Sequence, residues 1–365
     1  TDALSTNTLG SRSVAIGTSA LNAQNYTTAT NAFNTAVGHD AGTAVTTGVR
    51  NTIIGGLAGD ALTDADYNVA VGYAALSQDT LGSKSTALGY NALNTQNFTT
   101  ATDTYNVAVG MSAGEAITTG TLNTLVGGLA GDALTVGGSN VSLGYFSLTA
   151  DTNGSKSVAV GTAALGDQNF TTATDAYNVA VGQEAGRSVT TGTENTLIGG
   201  LAGDSLSVGN KNIAIGYRSL SGDTKGNKNV AVGNFALSTQ NFTTATDSLN
   251  TGVGHGAGEG ITTGVQNTLI GGLAGDALTD ADYNVAIGHA ALSTDTLGSR
   301  STAIGWSALI AQNFTTATTS NNTAVGFEAG LSITTGRHNT IMGTNAGDGL
   351  SDADFNVSVG SLSLT

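Results

Sequence analysis

A five-residue motif with aliphatic side chains at fixed places recurs along the whole chain. Each copy reads Asn or Ser, then Val, Thr or Ile, then a usually small residue, then an aliphatic residue or Met, and finally Gly. The first of twenty copies covers residues 13–17 and the last covers residues 356–360. Successive side chains of a β-strand point to opposite faces, and a short apolar run of this kind is typical of a strand. The pattern therefore predicts about twenty short strands, each followed by a glycine.

The spacing of the motif predicts a solenoid. The first motif glycines are Gly17, Gly38, Gly55, Gly72 and Gly89, so one longer step is followed by three equal shorter steps, and the series then starts again. Four coils thus make one super-repeat. A fixed period of this kind is typical of repeat proteins in which each repeat packs only against its neighbours. We therefore predict an all-β fold. It would be a single continuous parallel β-solenoid, or β-roll, of about 20 coils over residues 1–365, built from five super-repeats.

The strand pattern also predicts which side chains fill the core. The residue before each motif glycine is aliphatic or Met, and the residue two places earlier is Val, Thr or Ile. These two positions share one face of the strand, and we expect that face to point inward while the glycine turns the chain with a positive φ. The middle residue, usually Ala, would then face outward and contact another chain, because a strand that is apolar on both faces is buried on both. The core and turn residues predicted for the first four coils are Ile16, Gly17, Val37, Gly38, Ile54, Gly55, Val71 and Gly72.

The first residue of the motif and the four extra residues of every fourth coil predict two further features. The motif Asn residues could form a ladder of amides from coil to coil. The longer coil carries Gln-Asn-Phe-Thr-Thr-Ala-Thr, as at residues 96–102, with Tyr for Phe in the first copy. A fixed insertion in a stacked array lies in a loop on one face. Its aromatic ring either contacts a sugar or a neighbouring chain, or folds back onto the solenoid.

Each of these loops also contains an Asn-aromatic-Thr sequon, which is the acceptor sequence for N-glycosylation. The candidate contact residues are Tyr26, Phe98, Phe170, Phe242 and Phe314. The sequon residues are Asn25, Asn97, Asn169, Asn241 and Asn313.

Composition narrows the chemistry. The 365 residues carry a net charge of −15 with no basic patch, so nucleic acid is not an expected partner. There is no Cys, which excludes disulfides and thiolate metal sites. No apolar run is long enough for a membrane-spanning segment, so none is expected in this stretch. We see no set of nucleophile, base and orienting group and no polar cleft that breaks the repeat, so we expect neither an enzyme nor a cofactor.

Aspartates and histidines supply the candidates for a metal site. Calcium prefers clusters of oxygen ligands, and a D-x-x-x-D-x-D sequence occurs in several coils. The equivalent coils elsewhere keep only Asp132 and Asp204, so we expect no required metal and interpret these segments as solvated turns. The equivalent His39 and His255 could form rings around an axis in a trimer, although a surface or packed role is the alternative. The calcium candidates are Asp60, Asp64, Asp66, Asp276, Asp280 and Asp282.

The motif resembles two known groups of fibrous proteins. Ser-Val-Ala-Ile-Gly-x-x-Ala at residues 13–20 and Asn-Thr-Ala-Val-Gly-x-x-Ala at residues 34–41 resemble the head repeats of trimeric autotransporter adhesins. The spacing of the shorter coils and the Thr-Thr-Gly corner, as at residues 46–48, resemble repeats in bacteriophage tail-fibre-like proteins. The resemblance covers essentially the whole chain. It implies a homotrimer of left-handed parallel β-rolls around a common axis, although the periodic longer coil departs from the adhesin pattern.

From these observations we expect a structural fibre or stalk of a phage tail fibre or a bacterial surface adhesin. Such a fibre would hold out or form an attachment surface, and this chain would be a slice of a longer one. The expected partners are further copies of the chain and a host-surface glycan or receptor, at an extracellular, cell-surface or virion location. Two alternatives stay open. One is a subunit of an extracellular filament that polymerises end to end, and the other is an ice- or carbohydrate-binding solenoid.

Overall fold

The strands of the protein are two or three residues long and are joined by turns. The computed structural model describes residues 2–365, and within this range it contains no helix. Accordingly, none of the described residues forms a helix with the length and apolarity needed to cross a membrane. The motif strands of neighbouring coils pair in parallel, as Thr124–Val126 does with Val141–Leu143. The predicted all-β parallel β-solenoid is confirmed. The chain divides into two compact units, Thr1–Asn178 and Val179–Thr365.

Unit 1 contains one long parallel ladder and three short strand pairs. The strands are β1 Gly10–Ser11, β2 Val14–Ile16, β3 Thr30–Asn31, β4 Thr35–Val37, β5 Thr52–Ile54, β6 Val69–Val71, β7 Gly82–Ser83, β8 Thr86–Leu88, β9 Thr102–Asp103, β10 Val107–Val109, β11 Thr124–Val126, β12 Val141–Leu143, β13 Gly154–Ser155, β14 Val158–Val160 and β15 Thr174–Asp175. The ladder runs β2-β4-β5-β6-β8-β10-β11-β12-β14. The short pairs are β1 with β3, β7 with β9 and β13 with β15.

Unit 2 repeats this arrangement. Its strands are β16 Val179–Val181, β17 Thr196–Ile198, β18 Ile213–Ile215, β19 Gly226–Asn227, β20 Val230–Val232, β21 Thr246–Asp247, β22 Thr251–Val253, β23 Thr268–Ile270, β24 Val285–Ile287, β25 Gly298–Ser299, β26 Thr302–Ile304, β27 Thr318–Thr319, β28 Thr323–Val325, β29 Thr340–Met342 and β30 Val357–Val359. The ladder runs β16-β17-β18-β20-β22-β23-β24-β26-β28-β29-β30. The short pairs are β19 with β21 and β25 with β27.

The core lies on the opposite face of the motif strands from the one that the sequence pattern predicted. The middle residues Ala36, Ile53 and Ala70 are fully buried. The predicted core residues point outward instead: Ile16 is 59% exposed and Ile54 is 38% exposed. The other two predicted core residues, Val37 and Val71, are half-buried.

Leucines from the turns explain this inversion. Leu21, Leu62 and Leu76 follow the strands and are fully buried, so they occupy most of the space inside the coil. The coils that hold Leu21 and Leu76 four residues after the motif glycine carry only Ala at the middle strand position. Where the strand carries Ile53, the same coil has Gly59 at that place and the preceding coil has Gly42. A Cβ atom on Gly42 would lie 2.8 Å from Cδ1 of Ile53 and 3.2 Å from Cδ2 of Leu21.

The motif glycines adopt the positive φ predicted for them. Gly17 has a φ of 128° and Gly38 a φ of 147°. A Cβ atom on Gly17 would lie 2.3 Å from the carbonyl oxygen of Gly38, and one on Gly38 would lie at the same distance from the oxygen of Gly55. Such distances are far below van der Waals contact. The glycine column is therefore what allows one coil to stack directly on the next.

The motif asparagines form the predicted ladder, but mainly with the backbone. The Asn51 backbone N–H donates to Oδ1 of Asn34 at 2.8 Å, and the Asn68 backbone N–H donates to Oδ1 of Asn51 at the same distance. Nδ2 of Asn51 donates to the Ala65 carbonyl oxygen at 2.7 Å. All three asparagines are fully buried. Because buried polar groups need partners, this column satisfies backbone groups at a corner where the strand ladder has not yet begun.

We predict that two nearby leucines differ sharply in their contribution to stability. Leu125 is the buried middle residue of β11, whereas Leu122 is 55% exposed. Leu125→Ala should lower the free energy of unfolding by about 2–5 kcal/mol, and Leu122→Ala should change it by about 0.5 kcal/mol or less. The shift in the urea midpoint, followed by circular dichroism, measures both. Equal effects would contradict the inward orientation of the middle residue.

Candidate functional site

The aromatic residues of the insertion loops are buried, so of the two alternatives the structure shows the one in which the rings fold back onto the solenoid. Their exposure is between 5% and 7% for Tyr26, Phe98, Phe170, Phe242 and Phe314. The Tyr26 ring packs onto Gly10 of the previous coil, and its hydroxyl donates to the Gly48 carbonyl oxygen at 2.8 Å. Burial raises the pKa of the Tyr26 phenol to about 12. These rings serve as core residues of the longer coil.

The sequon asparagines lie beside these rings with a different exposure. Asn25, Asn97, Asn169 and Asn241 are exposed and Asn313 is half-buried. Each accepts a hydrogen bond at Oδ1 from a threonine of the previous coil, as from Thr80 to Asn97 at 3.2 Å. The loop thus presents the asparagine side chain at the surface while it buries the residue that follows.

A buried pair of Asp and Gln joins the longer coil to the coil before it, and the sequence pattern alone did not predict it. Asp79 and Gln96 are both fully buried. Nε2 of Gln96 donates to Oδ2 of Asp79 at 2.5 Å, and the backbone N–H groups of Gly82 and Phe98 donate to Oδ1 at 3.0 and 3.1 Å. Oε1 of Gln96 accepts from Nδ2 of Asn106 at 2.8 Å. The signal in the sequence is an Asp and a Gln at equivalent places of successive coils in every super-repeat after the first.

The same pair recurs along the chain. Its further copies are Asp151 with Gln168, Asp223 with Gln240, and Asp295 with Gln312. Asn7 stands at the equivalent place in the first copy and accepts from the Gly10 backbone N–H at 2.9 Å. Burial raises the pKa of the Asp79 and Asp151 carboxyls and outweighs the hydrogen bonds that lower them. Because no solvent reaches these carboxyls, their role is structural.

The structure does not bring the candidate calcium ligands together. Oδ1 of Asp64 accepts from the Thr47 hydroxyl at 2.5 Å, and Oδ1 of Asp66 accepts from the Val49 backbone N–H at 2.7 Å. Oδ1 of Asp60 is buried without a hydrogen-bond partner among the described residues, and burial raises the pKa of this carboxyl. In the equivalent coil of unit 2, Asp280 accepts from the Thr263 hydroxyl and Asp282 accepts from the Val265 backbone N–H. Oδ1 of Asp276 is buried without a hydrogen-bond partner in the described part of the chain, as in Asp60, and burial raises the pKa of this carboxyl. In residues 2–365 no group of three or more potential ligands is placed to hold a metal ion.

The two equivalent histidines have different surroundings. Nδ1 of His39 lies 3.0 Å from Oδ2 of Asp40, and the His39 side chain is 65% exposed. The His255 ring meets the Phe235 ring edge-on at 6.1 Å. Among the residues that the structure describes, neither histidine belongs to a group of ligands that could hold a metal ion.

The residue before each motif Asn or Ser forms an outward column that we call the corner ridge. These residues have φ values between 50° and 65°, a left-handed conformation that turns the side chain away from the core. In unit 1 the ridge consists of Arg12, Phe33, Arg50, Tyr67, Lys84, Tyr105, Leu122, Ser139, Lys156 and Tyr177. In unit 2 it consists of Glu194, Lys211, Lys228, Leu249, Gln266, Tyr283, Arg300, Asn321, His338 and Phe355.

In unit 1, cations and aromatic rings of the ridge stack on each other. Nζ of Lys84 lies 5.0 Å from the Tyr105 ring centre and 3.0 Å from its hydroxyl, and 2.5 Å from Oδ2 of Asp103. These contacts raise the pKa of the Lys84 ammonium. Lys156 has the same environment with Tyr177 and Asp175. Each lysine of the unit 1 ridge therefore has both an anion and a ring as partners.

Unit 2 departs from this arrangement at an open polar groove, which we call the lysine groove. It has a volume of about 340 Å³ and is lined by Thr193, Glu194, Asn210, Lys211, Asn227, Lys228 and Asp247. Two successive ridge residues are lysines here, and Leu249 stands where unit 1 has Tyr105 and Tyr177. Nζ of Lys228 lies 2.5 Å from Oδ2 of Asp247, and Nζ of Lys211 lies 3.9 Å from Oε2 of Glu194.

The groove walls are fixed by hydrogen bonds between coils. Oδ1 of Asn210 accepts from the Thr193 backbone N–H at 2.8 Å, and Oδ1 of Asn227 accepts from the Asn210 backbone N–H at 2.8 Å. The hydrogen bond from Lys228 lowers the pKa of the Asp247 carboxyl. The strand ladder continues in register beneath the groove. The sequence signal is Thr-Lys-Gly-Asn-Lys-Asn at residues 224–229, against Thr-Leu-Gly-Ser-Lys-Ser at residues 80–85.

We predict that replacing Asp79 by Ala lowers the free energy of unfolding more than replacing it by Asn does. Asp79→Ala removes the acceptor of one Gln96 amide hydrogen and of two buried backbone N–H groups, while Gln96 keeps its bond to the Ser85 hydroxyl. The change should cost about 3 kcal/mol or more in unfolding free energy. Asp79→Asn keeps one oxygen acceptor, as Asn7 does in the first copy, and should cost roughly half as much. Urea midpoints of both variants measure the difference. A neutral Asp79→Ala would contradict the assigned hydrogen bonds.

We also predict that Asp79 and Asp151 make the protein more stable as the pH falls. Their pKa values in the folded state lie above the ordinary value of 3.8, so the folded state binds more protons than the unfolded state above that pH. Their contribution is therefore fully present below about pH 3.8 and is lost as the pH rises through the folded-state pKa values. We subtract the urea midpoint of the Asp79→Asn/Asp151→Asn variant from that of the natural protein. This difference should become larger as the pH is lowered from 7 to 4. A difference that decreases over this range would refute the direction of the shift.

Sequence comparison adds no family name to this geometry. No protein-family model matches the chain, and no curated protein sequence matches it. The resemblance to adhesin heads and phage fibres therefore stays an expectation, and the function has to be argued from the repeat itself.

Proposed function

We propose that the chain is a structural segment of a fibre or stalk and that its copies associate as a homotrimer through the outward face of the motif strands. The observation that carries this proposal is the composition of that face. The first strand position is Val, Thr or Ile and the third is Val, Ile, Leu or Met in all twenty motifs, with no charged residue at either.

This face is more apolar than a soluble surface normally is. Ile16, Leu88 and Met342 are between 43% and 59% exposed, and many other residues of the face are half-exposed. Contiguous apolar patches of this kind usually mark interaction sites, and parallel sheets are nearly always covered on both faces. The inward face of the strands is already filled by the core of each unit. A second layer from another copy is the covering that a regular and self-repeating face fits best, because the same spacing recurs in every chain.

The proposed number of copies, three, and the proposed extracellular location rest on the resemblance to adhesin heads and phage tail fibres. A trimer of parallel β-rolls would bury the outward Val, Ile and Leu residues around a common axis. The fibre would then hold out or form an attachment surface of a bacterial adhesin or a phage tail fibre, with a host-surface glycan or receptor as its target. The absence of Cys is compatible with this role, since the coils are held together by stacking rather than by disulfides.

Light scattering after size exclusion tests the association. We expect a native mass near three times 35.9 kDa. A mass near that of one chain at micromolar concentration would refute the trimer and would show that the apolar face does not pack against another copy of the chain. A filament that grows end to end would give a broad mass distribution instead, and that result would favour the alternative over the trimer.

A pair of matched variants tests which face is used. Ile198 and Ile270 lie on the outward face of unit 2 and are 37% and 38% exposed. Ile198→Lys/Ile270→Lys should dissociate the trimer, because desolvating unpaired charges in an interface costs several kcal/mol (about 2–5). Thr244→Lys/Thr316→Lys adds the same charge in exposed insertion loops and should leave the mass unchanged. Dissociation by both pairs would point to net charge rather than to the strand face.

A further inference from the structure

The insertion loops keep the sequence Gln-Asn-aromatic-Thr in every super-repeat, although the residues before it vary. The two residues that precede Gln are Asn-Ala, Asn-Thr, Gly-Asp, Ser-Thr and Ile-Ala from the first copy to the last. The fold accounts for the Gln and for the aromatic ring, because both are buried in all five copies. The Asn is exposed in four copies and half-buried in the fifth, and the Thr is exposed in all five. Burial therefore does not explain why these two residues are kept.

The stacking of the coils does not require the amide of the sequon asparagine. Asn97 stands in a column that has Thr46, Thr63 and Thr80 in the three preceding coils. The Thr63 hydroxyl donates to the Thr80 carbonyl oxygen at 3.0 Å, and the Thr80 hydroxyl donates to the Phe98 carbonyl oxygen at 2.8 Å. The contact from the Thr80 hydroxyl to Oδ1 of Asn97 is longer, at 3.2 Å. The Thr80 hydroxyl thus keeps a backbone acceptor whether residue 97 is Asn or Thr.

The amide nitrogen and the threonine hydroxyl of the loop sequon are both open to solvent. Oδ1 of Asn97 accepts from Thr80, but Nδ2 of Asn97 donates no hydrogen bond within the part of the chain that the structure describes. The backbone N–H of Phe98 donates to the buried Asp79 at 3.1 Å, and the Phe98 ring is buried. Anchoring of this middle residue leaves Asn97 and Thr99 exposed on either side of it.

Other matches to the acceptor sequence in this chain use the amide nitrogen in the fold. Asn140-Val141-Ser142 is such a match, and Asn140 and Ser142 are buried. Nδ2 of Asn140 donates to the Gly154 carbonyl oxygen at 2.9 Å, and Oδ1 accepts from the Ser157 backbone N–H at 2.9 Å. Asn140 therefore carries the same acceptor sequence as the loops without a free amide.

The three remaining matches lie outside the insertion loops, and they also give the amide nitrogen a partner. Nδ2 of Asn153 donates to the hydroxyl of the preceding threonine at 3.2 Å, and Nδ2 of Asn356 donates to the Asp354 carbonyl oxygen at 3.2 Å. Nδ2 of Asn321 lies 3.5 Å from Nδ1 of His338. Among the described residues, the loop sequons are thus the ones that combine an unpartnered amide nitrogen with an exposed threonine.

We propose that the insertion loops are N-glycosylation sites, in which Asn25, Asn97, Asn169 and Asn241 each carry a sugar on Nδ2 and the half-buried Asn313 is modified more slowly. The donor would be a sugar activated by a nucleoside diphosphate. Nδ2 forms a bond to the anomeric carbon of the sugar, the bond from that carbon to the phosphate oxygen breaks, and the amide loses one proton as the nucleoside diphosphate leaves. The threonine two residues later completes the acceptor sequence. Each site lies within its own loop, so the proposal does not depend on the trimer.

Incubation of the folded full chain with a soluble asparagine N-glucosyltransferase and UDP-glucose tests the proposal, with peptide mass spectrometry as the readout. Synthetic peptides of residues 93–103 and 136–146 serve as reference acceptors. We expect both peptides and the loops of the folded chain to gain hexose, whereas Asn140 of the folded chain should gain none. Loops that stay unmodified in the folded chain, or a peptide 93–103 that stays unmodified, would overturn the proposal. Equal modification of Asn97 and Asn140 in the folded chain would overturn it too, because exposure would then not select the site.

Matched variants test the acceptor sequence. Thr99→Ala should abolish the addition of hexose to Asn97 and leave the other loops modified, whereas Thr99→Ser should retain it. Thr100 is the next residue and is also exposed, but it lies outside the sequon. Thr100→Ala should therefore leave the modification of Asn97 unchanged. Full modification of Asn97 in the Thr99→Ala variant would contradict the assigned site.

A further variant distinguishes modification from a structural reason for keeping the asparagine. Asn97→Thr gives the longer coil the residue that the column has in the three preceding coils. It should abolish hexose addition at this loop and leave the urea midpoint of the unmodified chain unchanged. A midpoint lowered as far as in Leu125→Ala would show that the fold requires the asparagine, and it would overturn the inference that its amide is kept for a sugar.

Discussion

Direct stacking of each coil on the next, with glycine carbonyls in close approach, is the constraint on which the rest of the structure depends. A Cβ atom on Gly17 would lie 2.3 Å from the Gly38 oxygen, and the same contact recurs from coil to coil within each unit. Because a single short coil cannot bury its apolar side chains alone, it gains stability only through its neighbours. The fixed stacking distance then forces the Asn ladder, the strand ladder and the insertion loops to repeat in register, so any extra residues must leave the stack and return to it.

The core explains why the sequence repeats every four coils rather than every coil. One turn position carries Leu in two neighbouring coils and Gly in the next two, and Gly42 makes room for both Leu21 and Ile53. A second inward position carries apolar residues in two neighbouring coils and polar residues in the next two. The polar residues are Asp79 and Gln96, which are hydrogen-bonded to each other. A carboxylate and an amide buried without each other would be costly, so the two polar coils have to be neighbours. The longer coil supplies the Gln and buries its own aromatic ring beside it.

Function on such a framework depends on outward positions that the stacking leaves free. The strand face and the corner ridge both satisfy this condition, and both are exposed in a regular series. A change of a few residues on the ridge alters the surface and leaves the core unchanged: the lysine groove has Leu249 where unit 1 has Tyr105. The fold can therefore vary its surface locally without any change to the core.

The sequence alone determined the strands, the coil lengths, the positive φ of the glycines and the place of the Asn ladder, because all of these follow from local residue preference and period. It could not determine which strand face points inward. Alternation says only that Ala70 and Val71 face opposite ways, and the choice is made by turn leucines such as Leu76, which fill the coil from elsewhere. The burial of Phe314 over Gly298 and the lysine groove were likewise decided by tertiary structure. The ring needs the space above a glycine of the previous coil, and the groove is lined by residues of four successive coils that are brought together only when the coils stack.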